Sequence, residues 1–314
     1  MSTWSKIQQT CLPPQTIPKK ARPCVGADCI TQDIDQASWV MIGVPDDRGV
    51  KNNFGRIGAK KGPDAFRQTF YALPMGATAP QPNSIYDLGN LKLTTSIKST
   101  HEKLIGIIAF IKSTDPAKKT LVIGGGHDIA FAEIAGCLGN QKKNKHHIVN
   151  LDAHSDVRPY EKNNVISSGT PFYRLIQEQG IQGSHYHPFG LQRPSNNPDL
   201  VSWMQTHKVD AHWLEDMPTE KQQLKALQTL LASLKNKKWH FNIDLDAFAV
   251  QHAPGVSAQG SFGLTPHLFL QIQKHKQIFK TLETVGIYEL APKYDIDNRT
   301  AKLAAKIAYQ ILSV

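Results

Sequence analysis

The feature that most constrains this chain is a regular alternation of short apolar runs with helix-like segments. Apolar runs read as strands over 39–44, 84–88, 120–123, 147–151, 186–191, 210–214, 239–245 and 284–289. Helices are expected to begin near Pro63, Ile97, Asp128, Pro171, Asn197, Thr219, Thr265 and Asn298. Pro63, Pro171 and Pro266 suit a first helical turn, where the missing N–H is not needed. Such alternation predicts an α/β fold: a three-layer α/β/α arrangement around a mostly parallel sheet of about eight strands. No repeat and no shift in composition marks a second domain, so residues 38–314 read as one unit. Residues 1–37 carry Pro13, Pro14, Pro18 and Pro23 and read as an irregular arm, which could drape over the domain or a neighbouring subunit.

Three strand ends then carry the wrong residues for a plain hydrophobic core. The run 147–151 leads into Asp152-Ala153-His154-Ser155-Asp156, and 239–243 leads into Asp244-Leu245-Asp246. On an extended strand, alternate residues face the same way. Asp152, His154 and Asp156 are therefore expected on one side, and Asp244 with Asp246 likewise. Acids rarely sit at the ends of buried strands unless something compensates them. A third strand ends in Gly124-Gly125-Gly126-His127-Asp128, which puts His127 at a strand-to-helix junction, where α/β proteins place their chemistry. Two imidazoles and four carboxylates, with no thiolate, suit manganese, and less selectively zinc, cobalt, nickel or iron. Sharing two of the carboxylates would give each of two ions about four protein ligands. Ions roughly 3.5 Å apart are a common device for making hydroxide at neutral pH.

GGGHD, DAHSD and the Asp-x-Asp of NIDLDAF, in this order and each after an apolar strand, resemble the metal motifs of the arginase/agmatinase/formimidoylglutamase (ureohydrolase) family. The resemblance runs from about Val40 to the end. It implies an arginase-like single domain, two Mn2+ ions, and hydroxide attack on the carbon of a guanidine or amidine, with C–N hydrolysis. Carried over by position, one ion would take His127, Asp152, Asp156 and Asp244, the other His154, Asp152, Asp244 and Asp246. Glu289, in Gly286-Ile287-Tyr288-Glu289, looks like the family's substrate-clamping glutamate; a carboxylate can accept two parallel hydrogen bonds from an amidinium. Asp152 and Glu289 are the catalytic candidates.

The loop from Gly49 to Pro63, with Asn53 and Arg56, is most similar to the formimidoylglutamase pattern GVxxNxGRxGAxxGP. Arg56 could grip a carboxylate bidentately, or pair locally with Asp46 or Asp47. Ser167-Ser168-Gly169-Thr170-Pro171-Phe172 is similar to the SSGTPF of the same branch. Ser168 stands where arginases and agmatinases carry a histidine, which argues against arginase and leaves the proton donor to the leaving amine unassigned. Arg174, just after, is a second candidate for a substrate carboxylate. These matches imply N-formimidoyl-L-glutamate as substrate, giving glutamate and formamide, a step in histidine breakdown. The alternatives are an agmatinase or another guanidino-acid ureohydrolase releasing urea, then a two-metal phosphatase, then a non-catalytic metal- or polyanion-binding protein. Family members are commonly trimers or hexamers, which implies a homo-oligomer.

Composition sets outer bounds. The net charge of +10 favours small anionic molecules. The basic clusters Lys142-Lys143-Asn144-Lys145 and Lys235-Asn236-Lys237-Lys238 read as solvated loops, and no nucleic-acid motif accompanies them. No long apolar run suggests a membrane span, and the first residues lack a signal-peptide layout, so a cytoplasmic protein is expected. Cys11, Cys24, Cys29 and Cys137 are expected to be free thiols. The pairs His146/His147 and His185/His187, and Asp128, are expected to be structural, the last as a cap or a partner to a ligand. Asp295 and Asp297 are expected to be solvated.

Overall fold

A computed structural model of the chain describes residues 3–14, 22–139, 145–160 and 164–314. Among these residues one sheet holds ten strands. They are β1 (Cys11–Leu12), β2 (Ile30–Thr31), β3 (Trp39–Val44), β4 (Ile85–Leu91), β5 (Lys119–Gly124), β6 (His146–Leu151), β7 (Tyr186–Leu191), β8 (His212–Trp213), β9 (Lys238–Asp244) and β10 (Leu282–Tyr288). The spatial order is β1-β4-β3-β5-β10-β9-β6-β7-β8, and β2 pairs with β4 off this path. The β1–β4 pairing is antiparallel. The others are parallel.

The helices are α1 (Thr3–Gln8), α2 (Val25–Asp28), α3 (Arg48–Asn52), α4 (Gly62–Tyr71), α5 (Ile97–Thr114), α6 (Ile129–Leu138), α7 (Pro171–Gln177), α8 (Pro198–Thr206), α9 (Glu220–Ser233), α10 (Lys276–Phe279) and α11 (Arg299–Leu312). Along β3, Trp39 and Met41 face one core, with Phe66 and Phe70 of α4, Leu227 and Leu230 of α9, and Ala304 and Ala308 of α11. Val40, Ile42 and Val44 face the other, with Leu104 and Ile108 of α5, Ile134 of α6 and Leu175 of α7. The sheet is thus covered on both faces, as buried parallel strands require. The fold is α/β, with helices layered on both faces of a mostly parallel sheet.

Two expectations need correction. The sheet has ten strands rather than about eight, and the extra two come from the segment read as an irregular arm. Each is only two residues long, too short to leave a periodic signal. Pairing with β4 satisfies backbone groups that burial of Cys11 and Ile30 would otherwise strand. Asp295 is not simply solvated. It accepts hydrogen bonds from Thr300 N (2.9 Å), Thr300 Oγ1 (2.8 Å) and Ala301 N (3.0 Å) at the start of α11. Asn298 cannot cap there because its backbone is left-handed, with φ 54°.

Helix starts elsewhere follow the residues that suggested them. Thr219 and Gln222 form a capping box on α9, and Asn197 caps α8 by accepting from Leu200 N. Thr265 opens a 3-10 run, Pro266–His275, instead of an α-helix. All four cysteines are buried free thiols. Lys142, Lys143 and Asn144 lie outside the described residues, and Lys235-Asn236-Lys237 form an exposed loop before β9. Among the described residues no helix is long and apolar enough to cross a membrane.

For the site, the arrangement of the middle four strands matters most. β5, β10, β9 and β6 are consecutive neighbours and run parallel. Their C-terminal ends therefore open on one rim, the edge where open α/β sheets bind ligands.

Candidate metal centre and substrate cleft

Each middle strand delivers acid or imidazole groups to that rim: His127 after β5, Glu289 after β10, Asp244 at the end of β9, and Asp152 after β6. Local turns, not strand alternation, bring the remaining donors round. Asp152 Oδ1 accepts from His154 N at 2.7 Å, and Asp244 Oδ1 accepts from Asp246 N at 2.8 Å. In both motifs the first carboxylate ties down the backbone two residues on, an Asx turn that folds the next side chain into the same space. β6 has already ended at Leu151, Asp246 lies on a 3-10 turn, and Asp156 is left-handed at φ 48°. The convergence read from the sequence is present, but through loop geometry.

The loop 152–156 is held firmly from behind. Asn196 Oδ1 accepts from Ser155 N (2.8 Å), Asn196 Nδ2 donates to Ala153 O (3.0 Å), and the Tyr186 hydroxyl donates to Ser155 O (2.7 Å). On the other side, Gly125 gives the β5 turn its closeness. A Cβ there would sit 2.1 Å from Asp46 O, and Gly125 O accepts from Glu289 N at 2.8 Å.

His127 Nδ1 lies 3.1 Å from Asp152 Oδ2, 3.0 Å from Asp156 Oδ2 and 3.1 Å from Asp244 Oδ2. One N–H cannot serve three oxygens, and among the described residues neither ring nitrogen makes a well-directed hydrogen bond. A nitrogen and three carboxylate oxygens packed this way are a coordination set: these four residues can hold one cation. Beside them, His154 Nδ1 lies 3.1 Å from Asp246 Oδ2 and 3.5 Å from Asp152 Oδ1. Asp152, His154 and Asp246 can hold a second. Asp152 touches both groups, one oxygen to each. Asp244 faces the first group through Oδ2, while its Oδ1 accepts from Asp246 N.

Electrostatics point the same way. Burial pushes Asp156 up to about 6, helped by the charge on Asp152. Burial raises Asp244 well above the carboxylate range, with Asp246 and Asp152 adding to it. Burial also raises Asp246, although His154 opposes the rise. Glu289 is raised by burial and then by Asp244 and Asp246. Burial also acts against charge on Asp152, but the imidazoles of His127 and His154 outweigh it and lower this one carboxyl. The charge of Asp246 raises His154 well above its ordinary value. Burial opposes the charge on His127, yet Asp152, Asp156 and Asp244 raise it too. Five carboxyls that cannot all ionise comfortably around two imidazoles form a site that cations relieve.

Glu289 is buried, with a left-handed backbone at φ 65°. Its Oε1 accepts from His127 N at 3.1 Å, and its Oε2 has no hydrogen-bond partner among the described residues. A cleft of about 220 Å³ opens over the cluster, and Glu289, Asn53 and Ser168 all line it. Arg56 and Arg174, expected to grip a substrate carboxylate, do not. The Arg56 guanidinium donates to Ser257 O and Val256 O, both at 2.8 Å, and lies over the Tyr294 ring. It fastens one rim loop to another. Its sequence-level rivals are taken otherwise: Asp46 pairs with Arg48, and Asp47 accepts from Gly58 N. Arg174 is buried beneath the rim, 3.5 Å above the Phe131 ring, with Nη1 donating to His101 Nδ1 (3.1 Å). His101 Nε2 must then carry the proton donated to Asp128 Oδ2 (2.9 Å). Asp128 is thus anchored by hydrogen bonding and does not cap α6 with its side chain.

Sequence reasoning missed Arg158 and Asn196. Arg158 is the one lysine or arginine among the described residues lining the cleft, and its side chain is exposed. Its signal was its place, two residues after Asp156 on the same loop. Asn196 is remote in sequence from every motif, so nothing pointed to it.

Comparison with known proteins agrees with this geometry. The arginase family model matches residues 37–313. A Staphylococcus aureus formimidoylglutamase is 31% identical over 283 residues, covering 87% of this chain and 85% of that protein. A manganese-containing crystal structure of Trypanosoma cruzi formiminoglutamase superposes with a TM-score of 0.81 at 25% identity, covering 93% of this chain and 97% of that one. A Bacillus subtilis formimidoylglutamase structure shares the fold, with a TM-score of 0.83 at 24% identity over 99% and 98% of the two chains. The chain belongs to the arginase family.

Proposed function

We propose that this protein is a manganese-dependent hydrolase of N-formimidoyl-L-glutamate, taking up one water and releasing L-glutamate and formamide. The observation that carries the reading is the polarity of one cleft, with a buried acid at the floor and a guanidinium at the lip. The substrate has the matching layout, a cationic amidine at one end and two carboxylates at the other. The S. aureus and T. cruzi relatives bear the corresponding names, and the T. cruzi structure contains Mn2+.

His127, Asp152, Asp156 and Asp244 would hold one Mn2+, and His154, Asp152 and Asp246 the other. When bound, such a pair supplies hydroxide at neutral pH. The remaining tasks fall to the chain itself. Glu289 Oε2, without a partner among the described residues, accepts an N–H of the amidinium and sets the plane of the carbon to be attacked. The backbone N–H of His127 fixes the Glu289 carboxylate through Oε1. Arg158 takes a substrate carboxylate, and Asn53 and Ser168 supply polar contacts along the cleft. Arg56 acts indirectly, by holding the loop that carries Asn53 against the one that carries Ser257. Four buried thiols fit a reducing compartment, so the cytoplasm is the expected location. A homo-oligomer remains part of the reading, by analogy with the family.

Agmatine carries a second cation where this substrate carries carboxylates, so Arg158 disfavours an agmatinase. A phosphate ester would meet Glu289 with like charge. The test is hydrolysis by manganese-loaded protein of N-formimidoyl-L-glutamate, agmatine, arginine, guanidinobutyrate and p-nitrophenyl phosphate. Formamide release from the first, well above product from the rest, is expected. Urea release from agmatine or guanidinobutyrate at a higher kcat/KM would replace the reading with a ureohydrolase.

A further inference from the structure

A second group of donors lies at the opposite end of the sheet. His187 is the second residue of β7, Asp210 precedes β8, and His212 opens β8, an edge strand only two residues long. His187 Nδ1 and His212 Nε2 approach the same oxygen, Asp210 Oδ2, at 2.8 and 3.3 Å. One donor atom from each residue lies within 4.8 Å of the other two. Donors about 2.0 Å from a tetrahedral ion stand about 3.3 Å apart, so a small expansion would admit one. The group is reachable, since the Asp210 side chain is 51% exposed and that of His212 25%.

The far side of His187 is already organised. His187 Nε2 lies 3.0 Å from Nδ1 of His147 on the neighbouring strand, and His185 stacks on His147 with ring centres 4.0 Å apart. A ring nitrogen held this way fixes the orientation of the other, as in most protein metal sites. With no ion, His187 Nδ1 donates to Asp210 and His147 Nδ1 donates to His187. With an ion on His187 Nδ1, His187 Nε2 donates to His147 instead. Each ring moves one proton from one nitrogen to the other, and no net charge changes.

We infer that His187, Asp210 and His212 form a surface site for a single borderline divalent transition ion, of the zinc, nickel or copper kind, with His147 as its positioning residue. Two imidazoles and one carboxylate favour these ions over manganese, whose preference is for oxygen. The site is separate from the cleft, because it lies beside the N-terminal end of β7 and the cleft opens at the C-terminal ends. An ion there would pin the edge strand β8 to β7.

The test compares the wild-type protein with the double variant Asp210→Asn/His212→Ala. Both side chains are partly exposed, and neither belongs to the cleft. Each protein is loaded with manganese, dialysed against zinc in the micromolar range, and analysed for total manganese plus zinc per chain. One more ion per chain in the wild type than in the variant is expected, with equal hydrolase activity in zinc-free buffer. Equal ion counts in the two proteins would overturn the inference. Because the difference is what is read, the outcome stands whether or not the cleft fills with manganese.

Discussion

Asp152 carries more of the proposed site than any other residue, because its two oxygens face different clusters. Asp152→Ala should reduce bound manganese from two ions per chain to less than one and abolish hydrolysis, while the circular dichroism spectrum stays native. Retention of both ions would remove the bridging role. Arg158 and Arg56 separate just as sharply. Loss of a charge-assisted hydrogen bond costs about 1.5–3 kcal/mol. Arg158→Ala should therefore lower kcat/KM for the dicarboxylate substrate by roughly 10- to 150-fold, mostly through KM. Arg56→Ala should lose less, since its guanidinium is engaged by two backbone carbonyls and a ring. Steady-state kinetics of the two variants check both statements, and the reverse ranking would return the carboxylate to Arg56.

Glu133 offers a test by pH. Burial pushes its carboxyl from 4.5 up to about 7, although Asn242 Nδ2 (3.0 Å) and the Tyr288 hydroxyl donate to it. The folded value lies above the unfolded one, so its share of stability is complete below about 4.5 and is lost as pH rises through about 7. Glu133→Gln keeps an acceptor for both donors but cannot ionise. Its melting temperature should fall less than the wild-type value between about pH 5 and about pH 8. Identical slopes would show that Glu133 stays charged without cost.

At the scale of elements, the sequence was informative wherever local chemistry and long-range packing agreed. β3 and β7 begin and end where the apolar runs do, and the other expected strands shift by at most three residues. Thr219, Asn197 and Pro171 mark helix starts because their side chains or fixed φ act within one turn. The hidden parts depend on distant partners. β1 and β2 exist through pairing with β4, which two residues cannot announce. Arg174 leaves the cleft because Phe131 and His101, from two other helices, engage it. The metal-type motifs were legible since DAHSD and the Asp-x-Asp each pack several donors into five residues or fewer and His127 follows a glycine run, but their turns were not. Two substitutions probe this level. Thr219→Ala should cost about 1 kcal/mol of unfolding free energy, read by denaturant titration. Gly125→Ala should do more to function than to folding. Its Cβ would meet Asp46 O at 2.1 Å and displace the strand end that bonds Glu289. Wild-type kcat/KM in Gly125→Ala would contradict that placement.

Over the whole molecule, a parallel sheet buried on both faces sets the frame, and four neighbouring central strands aim their ends at one cleft. The frame leaves five carboxyls crowded around two imidazoles, which cations relieve. Metal binding should therefore add stability by mass action, about 2.7 kcal/mol for one site at a hundred times its Kd. The melting temperature should drop on chelation and recover on addition of manganese. The most direct test of the central claim counts manganese by elemental analysis in the reconstituted protein, alongside formamide release from N-formimidoyl-L-glutamate. The account predicts two ions per chain and activity that rises with their number. Full activity in protein stripped of transition metal, or none in protein holding both ions, would contradict it.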